Sequence, residues 1–109
     1  MPWLLRDGEV LASLEVAGGR RARRKGLLGR DAIEGALLLA PARSVHSMGM
    51  RFPIDVAWLD GDMTVVRTVR LPRNRMTRPV LRAQCVLEAE AGAFARWSLH
   101  VGDHLERKD

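Results

Sequence analysis

His46-Ser-Met-Gly-Met-Arg-Phe-Pro-Ile-Asp-Val-Ala-Trp-Leu-Asp60 is the stretch whose reading decides the fold. It sets a histidine, two methionines, a proline and a carboxylate inside an otherwise apolar run. Strand alternation points His46, Met48, Met50 and Phe52 one way, and Ser47, Gly49 and Arg51 the other. Pro53 has no backbone donor and forces an edge, a bulge or a break. Beyond it Ile54, Val56 and Trp58 share one face, while Asp55, Ala57 and Leu59 share the other. Both faces are mostly apolar, which predicts a central strand and makes Asp55 its odd residue.

Working outward, Asp60-Gly-Asp62 turns the chain into an alternating run from Met63 to Leu71, a hairpin signature. Upstream, Trp3–Leu5 and Val10–Val16 flank Asp7-Gly8, the chemistry of a tight hairpin turn. Gly18-Gly19 ends that second strand, and Arg20 to Gly29 predicts a short helix with Arg20, Arg23 and Arg24 on one face. Asp31–Gly35 reads as a turn, and the continuously apolar Ala36–Ala40 as a strand buried on both sides. Pro72 to Pro79 is an arginine-rich loop, Cys85–Glu90 a strand, and Gly92 opens a turn or short helix carrying Phe94 and Trp97. Val101–Leu105 reads as a last short turn and strand, with Glu106–Asp109 a frayed, charged tail. The expected fold is a single domain over residues 1–109, mainly β with one or two short helices, arranged as a sandwich or partly closed barrel.

The 47% hydrophobic content suits one folded core and excludes wholesale disorder. Net charge is +5, carried mostly by arginine, and a basic balance can signal a polyanionic partner. Only the 20–25 run is dense, however, and aromatics make up 5% of the chain, few for stacking on bases. The single cysteine, Cys85, cannot form an internal disulfide and reads as a buried, inert thiol. No apolar run approaches the roughly 20 residues needed to span a bilayer, and the N-terminus lacks the apolar core of a signal peptide. The expectation is a soluble, cytoplasmic protein with no membrane partner.

Three polar residues stand inside apolar strand patterns: His46, Asp55 and Glu88. A buried charge is costly unless paired or hydrogen-bonded. On a structural reading Asp55 accepts backbone donors near Pro53, and Glu88 pairs with an arginine such as Arg30. On a functional reading His46 and Asp55 grip a polar ligand, with Met48 and Met50 as an adaptable apolar wall. His46 with Asp55 is also a conceivable acid/base pair, but no nucleophile is signalled beside it. His100 and His104 are four apart, yet Gly102-Asp103 interrupts any helix that would align them, so no metal site is expected. No phosphate-binding glycine loop is present, and no cofactor is expected.

Several segments together resemble a known family. Arg23-Arg-Lys-Gly-Leu-Leu-Gly-Arg30 resembles an Arg-x-x-Gly-Leu-(Leu/Met)-x-Arg pattern. His46 to Asp55 resembles a central motif ending in a hydrophobic–aspartate pair, and Val86-Leu-Glu-Ala-Glu-Ala-Gly92 and Gly102-Asp103 resemble two later signatures. These are the marks of the small bacterial and archaeal family known as domain of unknown function 192. The resemblance spans about residues 20–106. It implies a compact, mainly β fold with short helices, and it brings no established activity. Here His46 and Met48-Gly49 replace the commoner Phe-Trp-Met-type start.

The function expected from these readings is that of a non-enzymatic, or at most weakly specialised, small-ligand-binding domain, with a pocket formed by His46, Met48, Met50, Asp55, Glu88, Arg23 and Arg30. One alternative is nucleic-acid or other polyanion binding through the 20–25 run and the 70–82 loop. The other is a hydrolase or isomerase using His46 with Asp55. The oligomeric state is not readable from these patterns.

Overall fold

The computed structural model describes residues 2–109. In chain order its elements are β1 (Trp3–Arg6), β2 (Glu9–Ala17), α1 (Arg20–Lys25), β3 (Ala36–Leu39) and β4 (Ile54–Leu59). They continue with β5 (Val65–Leu71), β6 (Cys85–Glu90), α2 (Ala93–Arg96) and β7 (Leu105–Lys108). All seven strands form one sheet in the order β5-β4-β6-β3-β2-β1-β7. The mainly β class with two short helices holds, as one sheet rather than a two-sheet sandwich.

The hairpins fall where the turn residues place them. β1 and β2 pair across Asp7-Gly8, where both turn residues have positive φ. β4 and β5 pair around the 60–64 turn, where Asp60 Oδ1 accepts the amides of Asp62 (2.9 Å) and Thr64 (3.0 Å). β2 and β3 pair in parallel, joined by a crossover that carries α1. Gly35 makes this close packing possible: it has φ +73°, and a Cβ there would overlap the Ser13 backbone and hydroxyl.

β4 is buried at every position and lies between β5 and β6, as its two apolar faces require. Those faces belong to two cores. Ala57 and Leu59 pack with Leu4, Leu38, Leu87 and Phe94 on one side of the sheet. Ile54, Val56 and Trp58 pack with Leu27, Leu39, Met50 and Val86 on the other. α2 covers the first side; the 27–33 segment and the 42–52 loop cover the second. The sheet curls until the start of β5 meets the turn before β7, where a Thr64–His104 bridge forms and Val65 N–H donates to Asp103 O at 2.8 Å. The outer strands do not pair along their length, and no barrel closes.

Two expectations are corrected. Residues 46–53 are not a strand: only a His46–Met76 bridge forms, and a turn follows at Met48-Gly49. Gly49, at φ +75°, breaks the alternation, so Met48 is exposed while Met50 and Ser47 are buried. The C-terminal residues are not a frayed tail either. β7 pairs with β1 from Leu105 to Lys108, because β1 has a free edge with backbone donors to satisfy.

Candidate functional site

The side of the sheet that carries Val56 and Val86 also carries Glu88, which faces Leu37 on β3 and Val56 on β4 across the ladders. α1 and the 42–46 loop stand over this point and enclose a cavity of about 360 Å³. That is near the lower end of the roughly 300–1,000 Å³ usual for small-ligand pockets. Its buried lining includes Leu27, Leu39, Met50 and Glu88, and its exposed lining includes Arg20, Arg24 and Lys25.

Glu88 is 2% exposed, and its Oε1 has no hydrogen-bond partner among the described residues. The Gly26 turn closes over that oxygen: a Cβ on Gly26 would stand 3.5 Å from it. Burial without a partner pushes the carboxyl up to about 7. A carboxyl that titrates near neutrality in the wall of a cleft is a frequent mark of a functional group.

His46 lines the same cavity from the loop. Its Nδ1 accepts the Met48 amide at 3.2 Å, which leaves Nε2 as the nitrogen free for other partners. The loop is braced from below. Trp58 Nε1 donates to Arg43 O at 2.8 Å, and Arg43 Nε donates to Ala83 O at 3.1 Å. Ser47, fully buried, ties the loop to the 72–76 segment: its amide donates to Arg75 O at 2.7 Å, and its hydroxyl accepts the Arg75 amide at 3.0 Å. Sequence reasoning set Ser47 aside; only its small size and hydroxyl in an apolar stretch hint at a buried knot.

The cavity thus brings together Arg23, His46, Met50 and Glu88 of the residues singled out by sequence. It does not include Met48, Arg30 or Asp55. Met48 lies on the surface, 48% exposed. Arg30 does not pair with Glu88, as the sequence suggested. It forms a forked pair with Glu15 at 2.9 and 2.8 Å, which lowers the Glu15 carboxyl below its ordinary range. Asp55 points to the opposite side of the sheet, where Oδ2 accepts the amides of Gly92 (3.0 Å) and Phe94 (3.1 Å) and Oδ1 accepts Arg70 Nε (3.1 Å). It holds the start of α2 from the neighbouring strand, and no acid/base pair with His46 is assembled. Missed by the sequence reading were the lining residues Arg43 and Ser44, which have no pattern of their own.

The other motifs have structural work. Gly26, at φ +48°, ends α1 and lets Leu27 turn into the core at 1% exposure. Asp103 accepts His100 N–H at 2.9 Å and Arg6 Nη1 at 3.0 Å, which holds its carboxyl below the ordinary range and fastens β1 to the 98–103 turn. Among the described residues, no three His, Cys, Asp or Glu side chains are grouped to hold a metal ion, and no helix is long and apolar enough to cross a membrane.

Cys85 is buried under the first core, and its thiol is pushed up to about 11 by burial, reinforced by the nearby Asp60 charge. The folded protein is therefore expected not to react with a maleimide at neutral pH, and to react fully in denaturant, as read by mass spectrometry.

The family described as Uncharacterized ACR matches residues 4–107, further toward the N-terminus than the motifs alone suggested. No curated protein matches the chain. A protein of unknown function from Novosphingobium aromaticivorans is similar in fold, with a TM-score of 0.80 at 19% identity over 96% of this chain and 82% of that one. A Sinorhizobium meliloti protein described as a "putative transcription regulator" is also similar, with a TM-score of 0.80 at 19% identity over 97% of this chain and 91% of that one. At such identity the likeness is one of fold.

Proposed function

The chain belongs to the Uncharacterized ACR family, domain of unknown function 192, which has no established activity, and we propose that this protein is a small-ligand-binding domain whose site is the cavity under α1. One observation carries the reading: Glu88 is buried in the cavity wall with an oxygen that nothing among the described residues satisfies. Buried carboxyls are normally hydrogen-bonded or paired, and the structural role expected for Glu88, an ion pair with Arg30, does not form. The cationic mouth supplies complementary chemistry, since Arg20, Arg24 and Lys25 take part in none of the ion pairs among the described residues. The setting we propose is the cytoplasm, where a lone buried thiol needs no oxidising partner.

The test is a thermal-shift screen of small metabolites on the wild type, Glu88→Gln and His46→Ala. A ligand is expected to raise the melting temperature of the wild type and to lose most of that shift in Glu88→Gln. If no metabolite stabilises the wild type, the proposal falls.

A second reading has its own observation. The 72–83 loop is strapped to the 42–47 loop, with Thr77 N–H on Val45 O and Val80 N–H on Arg43 O, both at 2.9 Å. That brings exposed Arg75, Arg78 and Arg82 toward the side that carries α1. Such a surface could bind a polyanion, a role in line with the regulator label on the Sinorhizobium protein. It predicts affinity for DNA or RNA that falls steeply with salt. It leaves Glu88 unexplained, since a buried carboxyl adds nothing to phosphate binding. Absence of nucleic-acid binding at low salt removes it.

A further inference from the structure

We infer that the ligand of this cavity is a small zwitterion, with a protonated amine for Glu88, an acidic group for the α1 cations, and a short apolar stretch between them. The inference rests on the small-ligand reading and adds the ligand's chemistry, which the cavity specifies from its depth outward.

At the bottom is an acceptor without a donor. An ionised carboxylate only accepts hydrogen bonds, and a buried one is stable only when donors offset its lost hydration. An ammonium does this best, because it brings charge as well as N–H groups. The cations lining the cavity do not fill this role. Arg23 Nη1 is engaged with Gly18 O and Arg43 Nε with Ala83 O, and neither arginine forms an ion pair with Glu88 among the described residues. Above the carboxyl the wall is apolar, with Leu27 at 1%, Leu39 at 3% and Met50 at 3% exposure. Such a wall favours methylene groups and disfavours a second charge at that depth. At the mouth stand exposed Arg20, Arg24 and Lys25, which form no ion pair among the described residues.

Binding such a molecule has a proton signature. Free Glu88 titrates at about 7, so near neutral pH part of the population carries a proton. An ammonium beside it favours the carboxylate, and that proton leaves for the buffer as the complex forms.

Isothermal titration calorimetry on the full chain tests this with ε-aminocaproate and two probes that each lack one end, caproate and hexylamine. The expected result is that ε-aminocaproate binds about tenfold or more tighter than either probe, since each lost charged contact is worth at least that factor. Glu88→Gln removes the advantage over caproate and leaves caproate binding unchanged. The Arg24→Ala, Lys25→Ala double variant removes the advantage over hexylamine instead. The measured heat also changes between two buffers of different ionisation enthalpy in the wild type and not in Glu88→Gln. Circular dichroism confirms that each variant is folded. The inference is overturned if caproate binds as tightly as ε-aminocaproate, if Glu88→Gln binds all three probes as the wild type does, or if none of them binds. The small-ligand reading survives each of these results provided the metabolite screen yields a ligand, so the two fail separately.

Discussion

Replacing Asp55 by alanine is expected to cost roughly 3–5 kcal/mol of folding stability, the range for removing one member of a buried, hydrogen-bonded charged group. Small domains have roughly 5–15 kcal/mol in total, so this substitution brings the protein close to unfolding at physiological temperature. The cause is specific. Asp55 is 4% exposed and accepts two backbone N–H groups at the start of α2, one of them on buried Phe94. Alanine leaves those amides with no acceptor and no room for bulk water. Asp55→Asn keeps one oxygen acceptor and is expected to cost less, about 1–3 kcal/mol. Arg70→Ala removes the ion-pair partner, but Arg70 is 59% exposed at its side chain, so a loss of at most about 1 kcal/mol is expected. Urea denaturation of the three variants at one pH measures the order. Should Asp55→Ala cost no more than Arg70→Ala, the amides of α2 are not what Asp55 supports. Because Asp55 lies across the sheet from the cavity, none of the three should alter binding by the folded protein.

Most of the fold could be read because its determinants are local. Asp7-Gly8 and Asp60-Gly61 name their hairpins by turn chemistry, and the doubly apolar faces of residues 36–39 and 54–59 name interior strands. The 46–53 segment misled because its alternation is real in sequence, while a single glycine of positive φ followed by a proline overrides it. The β1–β7 pairing and the parallel β2–β3 pairing were not legible, since both join segments far apart in sequence and no hairpin turn connects either pair directly.

The candidate site was half legible for a related reason. Burial of a carboxyl can be inferred from its neighbours in a strand, and Asp55 and Glu88 are indeed the buried carboxyls among the described residues. Which side of the sheet each faces depends on its parity within its own strand, and what meets it there depends on tertiary packing. Asp55 meets the amides of α2 and is satisfied; Glu88 meets the turn after α1 and is not. The two residues look alike in sequence and differ in their hydrogen bonding because of what covers them. The Arg23–Arg30 segment shows the same limit: both arginines belong to one motif, but Arg23 lines the cavity and Arg30 is occupied by Glu15.

Glu88→Gln is expected to make the protein more stable above neutral pH and to remove a slope from its stability curve. In the folded chain the carboxyl sits at about 7, against an ordinary value of 4.5 in the unfolded chain. Between those values the native state holds a proton that the unfolded state has released, so stability falls as pH rises through this window and levels off above it. A displacement of that size corresponds to roughly 3 kcal/mol. Wild type and Glu88→Gln should therefore have similar stability near about pH 4, below the unfolded value, and differ by up to roughly 3 kcal/mol in favour of the variant near about pH 8. Other titrating groups are common to both proteins, so the difference between their urea curves isolates Glu88; a difference that does not change with pH would show that the carboxyl is not held up by burial. Saturating ε-aminocaproate offers the complementary measurement. By supplying the missing donor it should flatten the wild-type slope and leave that of Glu88→Gln as it was, so the energy that burial of Glu88 withholds from folding reappears as affinity for the molecule that completes it.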